Sequence, residues 1–145
     1  MVTTDSELLD GYEQVPYPKL SFPRTHPDHL RTVARLFGVY APETEGCRVL
    51  ELGSASGLNL VAMALTLPTT QFVGVEFSSR QAAEAQGLVR HTGLKNVEFC
   101  QNNILDIDSS FGMFDYIIAH GVFSWVPSEV QNKVLEIIAN HLTSS

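Results

Sequence analysis

Cysteine and basic residues are both scarce in this 145-residue sequence. Its two cysteines, Cys47 and Cys100, are far apart and form no C-x-x-C pair, so neither a metal site nor a disulfide framework is indicated. Sixteen acidic residues against nine basic ones give a formal net charge of -7, and the nine are scattered along the chain. This charge pattern disfavours broad binding to nucleic acids or to a membrane surface.

Long apolar runs are also missing. No stretch approaches the roughly 18 residues needed to span a bilayer, and the N-terminus lacks the basic-then-apolar pattern of a secretory signal. We therefore expect a cytoplasmic protein. A chain of this length buries roughly two thirds of the surface of its unfolded form, so one domain with a genuine core is expected.

Residues 1–46 have the character of an N-terminal arm and helix. Acidic residues crowd the first fourteen positions, and four prolines over residues 12–27 favour an extended path along the surface. A short amphipathic helix is then predicted to begin at Pro27 and to end at Gly38. Its buried face is expected to carry Leu30, Val33, Ala34 and Phe37.

Residues 47–145 alternate apolar runs of strand length with helical stretches, which is typical of βαβ units and a parallel sheet. Strands are predicted over residues 48–52, 71–77, 97–100 and 114–119. A helix is predicted over residues 58–67, and a second one follows Ser78, its predicted N-cap, and ends at Gly93. A third helix is predicted from Ser128 onward, because Ser128 and Gln131 have the spacing of a capping box.

The strongest signal for chemistry is V-L-E-L-G-S-A-S-G at residues 49–57, a buried strand that turns through small residues into a helix. Such a turn lets backbone N–H groups approach a ligand and directs the positive end of the helix dipole at a carboxylate. A dinucleotide-binding fingerprint would require glycine at the positions of Gly53, Ala55 and Leu58. The bulky Leu58 therefore disfavours a nicotinamide or flavin cofactor.

Two acidic residues flank this turn. Glu51 stands inside an otherwise apolar strand, where its burial is costly unless it meets a positive or hydrogen-bonding group. Glu76 ends the second strand, nineteen residues beyond Gly57, where an acid can accept both hydroxyls of a ribose.

Together these motifs resemble the class I S-adenosylmethionine-dependent methyltransferases over residues 48–142. In that family the first motif reads acid-x-Gly-x-Gly-x-Gly and the second strand ends in a ribose-binding acid, although Ala55 here replaces the middle glycine. The resemblance implies S-adenosylmethionine as the cofactor. Its binding residues would include Glu51, Gly53, Ser54, Ala55, Gly57, Glu76 and Phe77.

Two further segments extend the resemblance. In N-N-I-L-D it places Asn103, where Asp is commoner, beside the adenine amine and Ile104 against the ring. The segment F-D-Y-I-I-A-H-G-V-F-S-W-V-P resembles the fourth strand and the loop after it, so Ala119 and His120 would lie at the methionine end of the cofactor. The arm, Y-x-x-V-P-Y-P with F-P-x-T-H-P, resembles the N-terminus of bacterial methyltransferases with an added regulatory domain.

Histidine and tryptophan side chains leave more than one interpretation open. His120 is the candidate catalytic base, yet methyl transfer from a sulfonium is a direct displacement that mostly requires positioning. His26 and His29 are expected to be a surface pair, not metal ligands. Trp125 is expected to pack on the last helix and to line part of the pocket.

The resemblance implies an α/β fold with a Rossmann-like, doubly wound parallel sheet of order 3-2-1-4, truncated after strand 4. The exposed edge of strand 4 would then invite self-association. The function predicted is methyl transfer from S-adenosylmethionine to an unidentified acceptor. The alternatives are a truncated cofactor-binding or interaction module without turnover and, disfavoured by Leu58, a nucleotide-binding oxidoreductase domain.

Overall fold

The computed structural model describes residues 19–144, so the acidic leader and the arm up to residue 18 lie outside the described residues. The described residues form four helices and four strands, and no α-helix lies between the third and fourth strands. The helices are α1 (Pro27–Leu36), α2 (Leu58–Thr66), α3 (Ser79–Thr92) and α4 (Ser128–His141). The strands are β1 (Arg48–Leu52), β2 (Gln71–Glu76), β3 (Val97–Gln101) and β4 (Tyr116–Ile118). Three short 3-10 turns occupy Pro23–Thr25, Ile104–Asp106 and Ser109–Phe111.

The four strands form one parallel sheet in the order β3-β2-β1-β4, which confirms the predicted fold class and strand order. Both faces of the sheet are covered. Leu60 of α2 and Ala85 of α3 are fully buried on one face, while Val134 and Ile137 of α4 are buried on the other. Because both faces are covered, the central strands are mainly apolar, with Glu51 as the charged residue inside β1.

Strand β4 is shorter than the predicted range 114–119, and its edge is not wholly free. The Phe114 N–H donates to the His141 carbonyl at 2.7 Å, and the Thr143 N–H donates to the Phe114 carbonyl at 2.9 Å. Phe114 and Leu142 thereby form a parallel bridge. The chain after α4 thus returns beside the start of β4, which leaves Tyr116–Ile118 at the edge of the sheet formed by residues 19–144.

Helix α1 begins at Pro27 as predicted, and the His26 side chain accepts a hydrogen bond from the Asp28 N–H at 3.2 Å. Its predicted buried face is partly wrong, because Phe37 is 81% exposed and Val33 is 37% exposed. Polar contacts hold the helix as well, such as the one from the Thr44 hydroxyl to the Asp28 carboxylate at 2.6 Å. The apolar spacing identified one helix face, but only part of that face meets the core.

Helix α4 begins at Ser128 without the predicted capping box. Pro127 is the N-cap, and the Gln131 N–H donates to the Pro127 carbonyl at 3.0 Å. The Gln131 side chain instead donates to the Phe123 carbonyl at 2.8 Å. At α3 the predicted cap is confirmed, since the Ser78 hydroxyl accepts from the Gln81 N–H at 3.2 Å.

Residues 19–144 include no helix long and apolar enough to cross a bilayer. The same stretch contains no group of three or more side chains suited to holding a metal ion. The ring of His26, one of the two histidines expected to form a surface pair, contacts the Thr66 hydroxyl at 3.2 Å.

Gly57 occupies the N-cap of α2 in the left-handed region, with φ of 77°. A Cβ at this position would lie 2.6 Å from the Phe99 ring and 2.7 Å from Ala85. The turn therefore requires glycine twice, for its backbone conformation and for the close approach of α2 to its neighbours.

We expect Gly57→Ala to lower the free energy of unfolding by about 2–4 kcal/mol, because a left-handed conformation and an overpacked core are both penalised. Gly93→Ala is the matched control, since Gly93 has φ of 70° but nothing within 4 Å of the added Cβ. The control should lose about 1–2 kcal/mol. Urea unfolding measures both, and equal losses would contradict the packing role of Gly57.

Candidate functional site

A cavity of about 540 Å³ opens at the carboxyl ends of β1 and β2. Its volume is within the range of about 300–1,000 Å³ that is usual for small-molecule sites. Ligands of open α/β sheets bind outside the carboxyl ends of the strands, close to the point where the strand order reverses, which here lies between β1 and β4. The predicted site residues that line the cavity are Glu51, Gly53, Ser54, Ala55, Glu76, Phe77, Asn103, Ile104 and His120.

Two predicted cofactor-binding residues, Gly57 and Ala119, are not among those that line the cavity. Gly57 lies against Phe99 and Ala85, so its contribution is to the packing of α2. Ala119 packs against the core cluster on the α4 face of the sheet. The motif spacing placed both residues near the site but did not show which neighbour each one meets.

Glu51 is buried at the cavity wall, with 4% of its surface exposed. Its Oε1 accepts a hydrogen bond from Asn59 Nδ2 at 2.6 Å, whereas its Oε2 is buried without a partner. Burial raises the pKa of Glu51 to about 7, the Asn59 hydrogen bond opposes this rise, and the nearby charge of Glu76 adds to it. The carboxyl group is therefore poised to change its charge near neutral pH.

Glu76 is also buried, but both of its oxygens have partners. The Ala55 N–H donates to Oε2 at 2.8 Å, and the Ser78 N–H donates to Oε1 at 2.8 Å. This carboxylate thereby fixes the small-residue turn after β1 and the start of α3.

Several backbone N–H groups of the turn after β1 are bonded within the protein. Those of Gly53 and Ser54 donate to the Val75 carbonyl at 2.9 and 3.0 Å, and that of Gly57 donates to the Ser54 carbonyl at 2.9 Å. The small-residue pattern predicted that such groups would approach a ligand. In the structure they extend the sheet and close the turn.

Ala55, at the position of the family's middle glycine, has φ of 48°. A residue with a Cβ is disfavoured by about 1–2 kcal/mol in this left-handed conformation. The turn thus stores backbone strain at the cavity wall, as functional sites often do.

Buried polar atoms without a partner are concentrated at this cavity. Four such side-chain atoms occur among residues 19–144, and three of them, Glu51 Oε2, Ser54 Oγ and Gln81 Oε1, belong to residues that line it. Buried polar groups are nearly always hydrogen-bonded, so three unpaired groups at one cavity point to a polar ligand. Gln81 was not predicted from the sequence, where its signal was a polar residue beside the inward-facing Ala82 in the first turn of α3.

The rest of the cavity lining is largely apolar and includes residues of the arm. Sequence reasoning missed most of this wall, which comprises Leu20, Phe22, Leu105, Val122, Val126, Pro127 and Val130. The Phe22 and His120 rings lie with their centroids 4.2 Å apart. Trp125 also lines the cavity but is 78% exposed, so the expectation that it packs on the last helix is wrong.

Asn103 lies with Ile104 on the cavity wall after β3. Its Oδ1 accepts a hydrogen bond from the Leu105 N–H at 3.0 Å and caps the 3-10 turn Ile104–Asp106. Its side chain therefore holds the loop in place at the position where the sequence predicted contact with a ligand.

We expect Glu51→Gln to change the pH dependence of stability. The pKa of Glu51 in the folded chain, about 7, is above its ordinary value of 4.5, so the stability of the unaltered chain falls as the pH rises through this interval. The glutamine side chain of the variant does not ionise, and it keeps an oxygen that accepts from Asn59. Relative to the unaltered chain, the free energy of unfolding of the variant should rise by about 2 kcal/mol between pH 5 and pH 8.

Urea unfolding at the two pH values measures this difference, with Glu98→Gln on the exposed side of β3 as the control. A stability difference that does not change with pH would show that Glu51 does not titrate as a buried group.

Comparison with known proteins identifies the family of this chain. Residues 43–145 match the methyltransferase domain family. The uncharacterized protein RP789 of Rickettsia prowazekii is 48% identical over 134 residues, which are 92% of this chain and 24% of that protein. The uncharacterized protein RP028 of the same organism is 42% identical over 128 residues, 88% of this chain and 51% of that protein.

A solved structure shows the same fold at high similarity. The structure of PKMT2 from Rickettsia typhi in complex with AdoHcy is 42% identical, with a TM-score of 0.84 over 88% of this chain and 25% of that one. The chain thus spans between about a quarter and a half of the length of these relatives. With its parallel sheet, its cavity at the strand ends and the match over residues 43–145, the chain belongs to the methyltransferase domain family.

Proposed function

We propose that the cavity binds S-adenosylmethionine and that the chain serves the transfer of its methyl group to an acceptor that the sequence does not identify. The observation that carries the proposal is the set of three unpaired buried polar atoms at the cavity wall. Family membership and the similarity to PKMT2, whose structure holds AdoHcy, support it. The chain spans only part of its relatives, so the proposal concerns the cofactor-binding core of the reaction.

The chemistry of the lining residues suits this cofactor. The unpaired oxygen of Glu51 would receive a positive group, either the ammonium or the sulfonium, and Glu76 would accept ribose hydroxyls. Phe77 and Ile104 would pack against the adenine, with Asn103 beside its amine. Gly53, Ser54 and Ala55 would lie along the methionine part, with Gly57 supporting the turn from behind and Ala119 supporting the wall after β4.

When bound, S-adenosylmethionine supplies an activated methyl group: the lone pair of the acceptor forms the new bond to carbon as the carbon–sulfur bond breaks, and S-adenosylhomocysteine is released. The residues of this chain act by positioning, which is the main requirement of a direct displacement. His120 is an exposed residue of the cavity lining and would receive a proton from the acceptor.

Two further proposals concern the surroundings of the protein. A cytoplasmic location is consistent with Cys47 and Cys100, which are both free thiols. Self-association through the edge of the sheet stays a prediction, and the bridge between Phe114 and Leu142 confines the available edge to β4 itself.

We expect Glu76→Ala to weaken S-adenosylhomocysteine binding at least tenfold, because the variant loses the ribose acceptor and the brace of the turn. Isothermal titration calorimetry measures the affinity, and the free energy of unfolding shows whether the variant is folded. Glu98→Ala, on the exposed side of β3, is the control and should bind as the unaltered chain does. Unchanged affinity in a folded Glu76→Ala variant would overturn the proposed placement of the ribose.

Turnover separates an enzyme from a binding module. With labelled S-adenosylmethionine and a panel of small-molecule and protein acceptors, we expect transfer of label by the unaltered chain. His120→Gln should lower this rate at least tenfold and change the S-adenosylhomocysteine affinity by less than twofold, because a base acts on the acceptor. Binding without transfer to any acceptor would favour the module without turnover.

A further inference from the structure

One buried side chain, Asn59 in the first turn of α2, connects Glu51 to the N-terminal arm. Its Nδ2 donates to Glu51 Oε1 at 2.6 Å and to the Thr25 hydroxyl at 3.0 Å. Its Oδ1 accepts from the Phe22 N–H at 2.8 Å. Asn59 thus joins three separate parts of the chain, namely β1, α2 and the segment before α1.

The amide group is the chemical requirement of this junction. Both N–H bonds of Asn59 are used, one toward β1 and one toward the arm, while its oxygen holds the Phe22 backbone. An aspartate at this position could donate neither bond and would place a second carboxylate against Glu51. With only 5% of Asn59 exposed, water cannot readily replace these partners.

The arm that Asn59 holds is one wall of the cavity. Leu20 and Phe22 line it, and the Phe22 ring lies against His120. The segment is irregular apart from the 3-10 turn Pro23–Thr25, where the Thr25 hydroxyl also donates to the Phe22 carbonyl at 2.8 Å. The exposed ion pair between Lys19 and Glu84 adds little, because water screens such pairs.

The same side chain also orients Glu51. Because Asn59 occupies Oε1, the carboxylate leaves Oε2 as its unpaired oxygen at the cavity wall. The Asn59 amide is therefore bonded both to Glu51, which would receive the positive charge of a ligand, and to the arm that closes the cavity. A ligand that bonds to Glu51 stabilises the orientation in which Asn59 holds the arm.

We propose that Asn59 is a positioning residue that couples Glu51 to the arm of residues 20–25, so that occupation of the cavity and closure of the arm favour each other. The proposal rests on the proposed function, since it requires the cavity to bind S-adenosylmethionine or its product. Coupling of this kind is reciprocal: if closure of the arm tightens binding by some factor, the ligand favours closure by the same factor.

Thr25→Val tests the coupling at a distance from the ligand. The residues that line the cavity do not include Thr25, and the substitution removes the hydroxyl that binds Asn59 while leaving the contact between Asn59 and Glu51 in place. We expect the dissociation constant for S-adenosylhomocysteine to rise about fivefold or more, at the lower end of measured couplings. Thr92→Val, at the exposed end of α3, is the matched control and should leave the affinity unchanged.

Limited digestion with trypsin reports the state of the arm directly. Arg24 is exposed within the 3-10 turn of the arm, and Lys95, in the loop between α3 and β3, provides an internal reference. In the unaltered chain and in Thr92→Val, saturating S-adenosylhomocysteine should slow cleavage after Arg24 at least fivefold relative to cleavage after Lys95. In Thr25→Val the ligand should slow it less than twofold.

Hydrogen exchange of the Phe22 amide in the unaltered chain gives a measurement that needs no variant. Saturating S-adenosylhomocysteine should slow this exchange, because the amide donates to Asn59. If the unaltered chain binds the ligand but neither the exchange nor the cleavage after Arg24 changes, the coupling is overturned and the proposed function stands. If the folded chain does not bind S-adenosylhomocysteine at all, the proposed function and the coupling are overturned together.

Discussion

The burial of a carboxyl group at the end of an apolar strand is the constraint on which the rest of the site depends. Glu51 is only 4% exposed, and its strand neighbours Leu50 and Leu52 are 0% exposed, so little water reaches the carboxyl group. A carboxylate in such a place must lose its charge or gain partners. Here Asn59 satisfies one oxygen, and burial raises the pKa of the group to about 7, so the fold accepts a half-satisfied group where a ligand can complete it.

The second acid, Glu76, is also buried in low-dielectric surroundings, but both of its oxygens are hydrogen-bonded within the protein. Backbone N–H groups bond to both of its oxygens, and these bonds fix the turn after β1 before any ligand arrives. Preorganisation of this kind lowers the cost of ordering a loop on binding. The cavity therefore combines one acid that braces its frame with another that has one unpaired oxygen and a pKa of about 7.

Much of the fold is readable from the sequence for a physical reason. A parallel sheet covered on both faces favours mainly apolar strands, and residues 48–52 and 71–76 show this pattern apart from Glu51 and the residues at the strand ends. Local signals were less reliable where tertiary contacts compete with them. The spacing of Ser128 and Gln131 matches a capping box, yet Gln131 bonds to Phe123, and the periodic Phe37 remains largely exposed in the part of the chain that the structure describes.

The limits of prediction at the site have a similar origin. Glu51, Glu76 and the small-residue turn were identifiable because each lies at a strand end, where chain direction alone brings them together. Asn59 and Phe22 were not, since their roles arise from contacts between segments that are 37 residues apart in sequence. Periodicity shows which residues share a face, but it does not show which distant segment that face will meet.

The exposure of Trp125 gives the molecule a property separate from its chemistry. It is the only tryptophan of the chain, it is 78% exposed, and it lines the cavity. The tryptophan fluorescence of the protein therefore comes from one solvent-exposed position in the cavity lining. Trp125 is therefore an intrinsic fluorescent reporter of the site. Its emission wavelength depends on how much water the contents of the cavity displace from the indole ring.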